Sequence, residues 1–203
     1  MNGAQVDNAS EVRTRNARGE ARREDLLGRI TDDVVANGLA DFSLRRAARA
    51  CGTTHKVLLY HFGSLESLLA TIVRELRGRR VQVGLSASSM GGTTLAERVL
   101  SLWPGLVGPE ADALDQAVGL AMTDPARYGS LTDTALDEYL PALRGICPET
   151  WDEPRKHEVA SLILATLRGL VLTRRTSTVP FDPTPALAAL QRALDREEST
   201  DSK

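Results

Sequence analysis

The chain has 203 residues, 42% hydrophobic and 4% aromatic, so it can bury a core without metal or disulfide staples and is poor in the residues that favour strands. Cys51 and Cys147 stand too far apart for a zinc spacing or a dense disulfide framework, and no window offers the roughly 18 uncharged apolar residues of a membrane span, which excludes a disulfide-stapled module and predicts an all-α cytoplasmic protein. The net charge of −2 hides an asymmetry: residues 1–80 carry 14 basic against 10 acidic residues, a balance of +4, and residues 81–203 carry 11 against 17, a balance of −6. The first portion suits a polyanionic partner and the second a different task.

Residues 1–19 hold almost no large apolar side chains and read as a flexible basic tail, either solvated or an arm that touches phosphates. A first helix is expected from about Glu20 to Asn37, because Leu26, Leu27, Ile30, Val34 and Val35 share one face, with Gly38 as its C-terminal cap. Ser43 caps a short second helix that turns Leu44, Ala47 and Ala48 inward and ends at Gly52. Thr53 or Thr54 restarts the chain into a third helix through His61, and Ser64 caps a fourth. The fourth carries Leu65, Leu68, Leu69, Ile72, Val73 and Leu76 on one face and is expected to reach the Gly84 region. The segment Ser86 to Thr94 reads as the clearest break. Beyond it helices are expected near 94–106, 110–123, 130–145, 153–175 and 184–196, giving a tail over 1–19, a first domain over 20–80 and a second over 81–203.

Two short helices joined by a glycine-containing turn make the stretch SLRRAARACGTTHKVLLYHF, Ser43 to Phe62, a helix-turn-helix candidate. Small Ala47 and Ala48 allow close helix approach, and the second helix presents Thr54, His55, Lys56, Tyr60 and His61 as polar groups able to enter a major groove. Arg45, Arg46 and Arg49 are either phosphate contacts or a solvated face. His55 and His61 have no third ligand in view, so no metal is expected, and Cys51 reads as a small core residue. With no glycine-rich phosphate cradle, nucleophile elbow or HExxH, neither catalysis nor a cofactor is expected.

Over residues 20–80 the chain resembles the TetR family of bacterial transcriptional regulators. The resemblance rests on the Asn37-Gly38 stop, Ser43-Leu44, the turn with Ala47, Ala48 and Gly52, the signature Tyr60-His61-Phe62, and Gly63-Ser64 followed by Glu66 and Leu68-Leu69. It implies that Ser43 and Leu44 meet phosphate, that Thr53, Thr54, His55 and Lys56 meet bases or adjoining backbone, and that Tyr60 and His61 meet phosphates; Arg45 joins them as a DNA-contact candidate from its place on the second helix. Two positions depart from the family pattern: Leu59 stands where Tyr is usual, and Leu65 where a phosphate-binding Lys is usual.

From Val159 to Leu172 only Arg168 is charged, so this helix needs cover on more than one side, and the last helix carries a stripe of Ala186, Leu187, Leu190, Ala193 and Leu194. The resemblance implies that these two helices pair with those of a second copy, through Leu162, Leu167, Leu170, Leu187, Leu190 and Leu194, with Ala160, Ala165 and Gly169 permitting close approach. Packing inside a single chain is the alternative. The intervening helices would form an effector cavity, for which Trp103, Met122, Tyr128, Tyr139 and His157 are candidate wall residues. The expected function is a homodimeric repressor bound to a palindromic double-stranded DNA operator and released by a small-molecule effector. The competing expectation is a helical ligand-binding or interaction module whose helix-turn-helix does not read DNA.

Overall fold

The structure, a computed structural model, describes residues 3–200, with side chains from residue 16 onward. The regular structure of the described residues is all helical, without strands, as the composition predicts. The chain divides into two units, one ending at Ile72 and one beginning at Val73.

In the first unit, helix α1 spans Gly3–Asn37 and so begins well before the expected Glu20. Residues 3–37 contain no proline and are rich in Ala, Glu and Arg, which sustain helix without tertiary support. Residues 16–22 are exposed, and the side chains of 1–15, where most of the expected arm falls, lie outside the described residues. The buried stripe is Leu26, Ile30 and Val34, each spaced by four and each fully enclosed. Gly38, at φ 71°, donates its N–H to the Val34 carbonyl at 2.8 Å and turns the chain so that Leu39 is buried.

Helix α2 covers Leu44–Cys51 and α3 covers His55–Phe62. Ser43 and Thr54 are their N-caps: the Arg46 N–H donates to Ser43 Oγ at 3.3 Å and the Val57 N–H to Thr54 Oγ1 at 3.4 Å. Between them Gly52 adopts φ 60°, a left-handed conformation that a side chain resists, and lets Thr53 N–H close onto the Ala48 carbonyl at 2.9 Å. Ala47, Ala48 and Cys51 of α2 and Leu58 and Phe62 of α3 are buried, whereas Leu44, expected inward, is only partly covered.

Helix α4 covers Leu65–Met90, with Ser64 Oγ accepting from the Ser67 N–H at 3.0 Å. It continues through Ser86–Met90, inside the expected break, because a serine in mid-helix can return its hydroxyl to the preceding turn, as Ser89 does to the Leu85 carbonyl at 2.8 Å. Gly91 and Gly92 end it; Gly92, at φ 142°, has a backbone that only glycine adopts readily.

The second unit continues with α5, Leu95–Leu100, α6, Pro109–Thr123, α7, Pro125–Tyr128, α8, Ala135–Gly145, α9, Glu153–Thr176, and α10, Thr184–Ser199. A reciprocal capping box starts α5, in which Thr94 Oγ1 accepts from the Glu97 N–H and Glu97 Oε2 accepts from the Thr94 N–H. The helix expected over 94–106 is split, since Pro104 lies in a separate 3-10 turn at Trp103–Leu106. The interior gathers Leu95 and Val99 of α5, Leu143 of α8, Ile163 and Leu167 of α9 and Leu190 and Leu194 of α10, with Ile146 and Trp151 between.

That packing places most of the residues expected at an interface inside this chain. Leu167, Leu190 and Leu194 lie within the chain's own core, Leu187 packs against it, and Leu170 is buried as well. Hydrophobic periodicity identifies a stripe but not what covers it, and here α5 and α8 of the same chain do so. Of the six residues only Leu162 is substantially exposed, at 48%, on an outer face of α9 that continues through Ala165, Gly169 and Leu172. No single helix among the described residues is long and apolar enough to cross a membrane.

Candidate nucleic-acid interface and ligand chamber

In the first unit, the start of α2 and the turn into α3 form a shallow concavity lined by Leu44, Arg45, Ala48, Arg49, Thr53, Thr54 and His55. Five of the sequence-predicted contact residues, Leu44, Arg45, Thr53, Thr54 and His55, thus share one surface. Lys56 and Tyr60 are exposed on α3, Tyr60 at 85%, and the Tyr60 ring meets His61 edge-on at 5.1 Å. Ser43 is spent on capping, and His61 is half-buried. The helix starts matter electrostatically: capped N-termini leave further N–H groups pointing outward, and the lining contains two guanidinium groups and no carboxylate.

The three arginines of α2 separate in role. Arg46 is structural: Nε donates to Asp33 Oδ2 at 2.7 Å, Nη1 to the Ala40 carbonyl at 3.1 Å and Nη2 to the Asp33 carbonyl at 3.2 Å, fixing α2 to α1. Arg45 and Arg49 are exposed on the concave face. Arg23 sits over the Phe62 ring at 5.0 Å and donates to the His61 carbonyl at 3.4 Å, bracing the end of α3. Leu59 is 38% exposed, and Leu65 is half-buried rather than part of the enclosed core.

The second unit contains a chamber of about 790 Å³ whose walls come chiefly from α4, α6, α8 and α9, with residues from the segments 101–106 and 131–132 completing them. Val81, Leu114, Val118, Leu131, Leu164 and Val171 make it predominantly apolar. Met122 and Tyr139 are in its wall. Trp103 and Tyr128 are not: Trp103 packs against the core around α5, and the Tyr128 ring carries the Arg127 guanidinium at 5.0 Å. His157 is exposed on α9 and also absent from the lining.

Two of the arginines at the chamber are held in defined pairs. Arg77, its side chain 4% exposed, donates from Nε and Nη2 to Glu138 at 2.7 and 3.0 Å, from Nη1 to the Leu131 carbonyl at 2.6 Å and from Nη2 to Thr134 Oγ1 at 2.8 Å. Burial pushes the Glu138 carboxyl up, but the hydrogen bonds from Arg77 and Thr134 and the charges of Arg77 and Arg74 outweigh it and hold it below the usual glutamate range. Arg175 pairs with Asp112 and donates to Asp115 Oδ2 at 2.9 Å. Burial pushes Asp115 above the usual aspartate range, against the pull of Arg80 and Arg168. Arg80 differs from these: its Nε and Nη2 are out of solvent contact and donate to no acceptor.

Both thiols are inert by position. Cys51 donates to the Leu26 carbonyl at 3.5 Å and Cys147 to the Leu143 carbonyl at 3.4 Å, and burial pushes both above the ordinary thiol value. No cluster of three or more His, Cys, Asp or Glu suited to a metal occurs among the described residues.

No protein-family model and no curated protein matches the chain. Solved structures do. A transcriptional regulator of Rhodococcus sp. Rha1 superposes with a TM-score of 0.63 at 21% identity, covering 86% of this chain and 94% of that one. The multidrug binding protein EbrR, complexed with imidazole, superposes with a TM-score of 0.62 at 21% identity, covering 86% and 90%. A TetR transcriptional regulator from Legionella pneumophila gives 0.59 at 18% identity, covering 86% and 95%. With a helix-turn-helix followed by a long helix and a chambered helical unit, the chain has the fold of the TetR-family transcriptional regulators.

Proposed function

We propose that the protein is a TetR-family DNA-binding transcriptional regulator, a homodimeric repressor that leaves a palindromic operator when a small molecule fills its chamber. The observation that carries this reading is the grouping of Leu44, Arg45, Arg49, Thr53, Thr54 and His55 on one concave face, with Lys56 and Tyr60 exposed beside it. Short polar and cationic side chains at two helix N-termini suit phosphate and base-edge contact, and the core of the unit is complete without them. In support of a dimer, α9 leaves Leu162 and Ala165 exposed, Gly169 and Leu172, which also border the chamber, continue the row at alternating three- and four-residue spacing, and α10 adds exposed Ala189 between Ala186 and Ala193. A two-fold pair of reading heads selects an inverted repeat. A chamber ligand that binds one conformation better than the other shifts operator affinity by that difference.

The test is selection of duplexes from a random pool by the purified protein, followed by binding at several salt concentrations. Recovery of an inverted repeat bound with a steep salt dependence is the expected result. Recovery of unrelated sequences bound no more tightly than bulk DNA would assign the chain to ligand binding without operator recognition.

A further inference from the structure

We infer that the chamber takes an anionic amphiphile, a hydrocarbon chain ending in a carboxylate, with Arg80 as the group that receives the head. The inference rests on the reading of this cavity as a ligand chamber and adds the chemistry of what enters it.

The walls set the first half of the ligand. At about 790 Å³ the space falls in the range of small-molecule sites, roughly 300 to 1,000 Å³. Aliphatic side chains such as Val81, Val118, Leu164 and Val171 reward a hydrocarbon and offer nothing to a polar ring system.

The charges set the second half. Arg77 is engaged by Glu138, Thr134 and the Leu131 carbonyl, and Arg175 by Asp112 and Asp115. A ligand gains nothing from either without breaking an existing pair. Arg80 lines the same chamber, yet its Nε and Nη2 have neither solvent nor an acceptor. These two nitrogens form one edge of the guanidinium, with the parallel N–H geometry that a carboxylate accepts in bidentate fashion. The proposed binding step includes a rotation about the last side-chain torsions that brings this edge into the chamber when a ligand enters.

The rival partner inside the protein is Asp115, whose charge acts on Arg80. Its Oδ2 already accepts from Arg175, and it accepts from neither Nε nor Nη2 of Arg80. Around the chamber's polar end Arg80, Arg168 and Arg175 face Asp112 and Asp115, one positive charge in surplus. The Arg80 Nε and Nη2 themselves are out of solvent contact, so a charge-assisted hydrogen bond formed by them is stronger than one at the surface. A neutral or cationic head group leaves Arg80 unsatisfied or repelled.

Three twelve-carbon probes of one tail and different heads test this: dodecanoate, dodecanol and dodecyltrimethylammonium, titrated below their aggregation limits into the parent protein, Arg80→Met and Arg80→Lys. The parent should bind dodecanoate at least about tenfold more tightly than dodecanol, with the ammonium weakest. Arg80→Met, which keeps the length and apolar stem, should bring dodecanoate down to the level of dodecanol and leave dodecanol unchanged. Arg80→Lys should recover part of the preference, because it keeps the charge and loses the fork. Because neither Nε nor Nη2 of Arg80 donates a hydrogen bond within the chain, melting temperatures of the variants should stay close to the parent's. Equal binding of acid and alcohol by the parent, or an acid preference that survives in Arg80→Met, overturns the assignment. Failure of all three probes to bind overturns both it and the reading of a ligand chamber. Dodecanoate binding that depends on Arg80 but leaves operator affinity unchanged upholds the site and removes effector-driven release.

Discussion

The two units place their working surfaces in opposite ways. In the first, the polar groups proposed to meet DNA stand outside a core built from Leu26, Ile30, Val34, Ala47, Leu58 and Phe62, so the reading face and the packing share few atoms. In the second, the chamber is bounded by residues that also build the fold: Leu143 and Leu167 belong to both the core and the wall. Surface chemistry in the first unit can therefore change at little cost in stability, whereas interior chemistry in the second is tied to it.

The sharpest break of this contrast is Leu194→Glu against Leu162→Glu. Leu194 is fully buried and Leu162 is 48% exposed. The first substitution should cost on the order of 4 kcal/mol or more and yield little folded protein, since an unpaired carboxylate is forced into an apolar interior. The second should leave a folded chain, with its melting temperature near the parent's when measured as a monomer, and should abolish the dimer in sedimentation. A Leu162→Glu protein that remains dimeric would move the interface away from the outer face of α9.

Next in size is the separation of function from stability on the reading face. Replacing Lys56 and Tyr60 together with Ala should weaken binding to the selected duplex by about 100-fold or more in a dimer, at roughly 1 to 3 kcal/mol per lost contact. Thermal unfolding should be unchanged, because both side chains are exposed. Unaltered affinity at physiological salt would show that α3 is not the reading helix.

Arg77→Met tests the opposite property of the second unit. It should destabilise by about 2 to 4 kcal/mol, because Glu138 loses its cationic partner and the Leu131 carbonyl its donor. The pH dependence has a definite sign. Glu138 has a folded pKa below its unfolded one, so its contribution is fully present above the ordinary glutamate value and is lost as pH falls through the folded value. Glu138→Gln should therefore be less stable than the parent at neutral pH, with the difference shrinking in acid. Parallel pH profiles for the two proteins would mean that the pair does not stabilise the fold.

The smallest effect is expected at Leu65, which is half-buried beside the enclosed Leu68, Leu69 and Ile72. Leu65→Lys should steepen the slope of log K against log salt by roughly 1.8, from about 0.9 per added phosphate contact in each of two subunits. Its cost in stability should stay below about 1 kcal/mol, since little burial is lost. A lowered melting temperature with an unchanged slope would place Leu65 in the core instead.

This contrast also explains what was legible in the sequence. The helix-turn-helix could be read because its signals are local: Ser43 and Thr54 each cap a backbone N–H three residues on, and Gly52 takes its left-handed turn between them. The chamber could not, because its wall is assembled chiefly from α4, α6, α8 and α9, and residue type alone selected Trp103 and Tyr128, which pack elsewhere. Arg77 and Arg80 did leave a trace. They follow Val73 and Leu76 on α4 at four-residue spacing, where an apolar stripe would otherwise continue, and a cation on such a stripe calls for a buried partner. For Arg77 that partner, Glu138, is 61 residues away, beyond any local pattern. The apolar faces of α9 and α10 were visible too, but which neighbour covers a stripe is decided by tertiary packing, and α5 and α8 cover most of it.

The burial of Cys51 and Cys147 makes the protein a convenient subject for optical distance measurement. The sequence contains no other cysteine, and both thiols are enclosed and held protonated near neutral pH. A cysteine introduced at exposed Tyr60 or Met122 would consequently be the one fast-reacting thiol in each chain, so a maleimide dye would label it without first stripping the native residues. In a dimer, labels at position 60 would report the separation of the two α3 helices directly, with and without dodecanoate, on protein whose interior is left as the sequence built it.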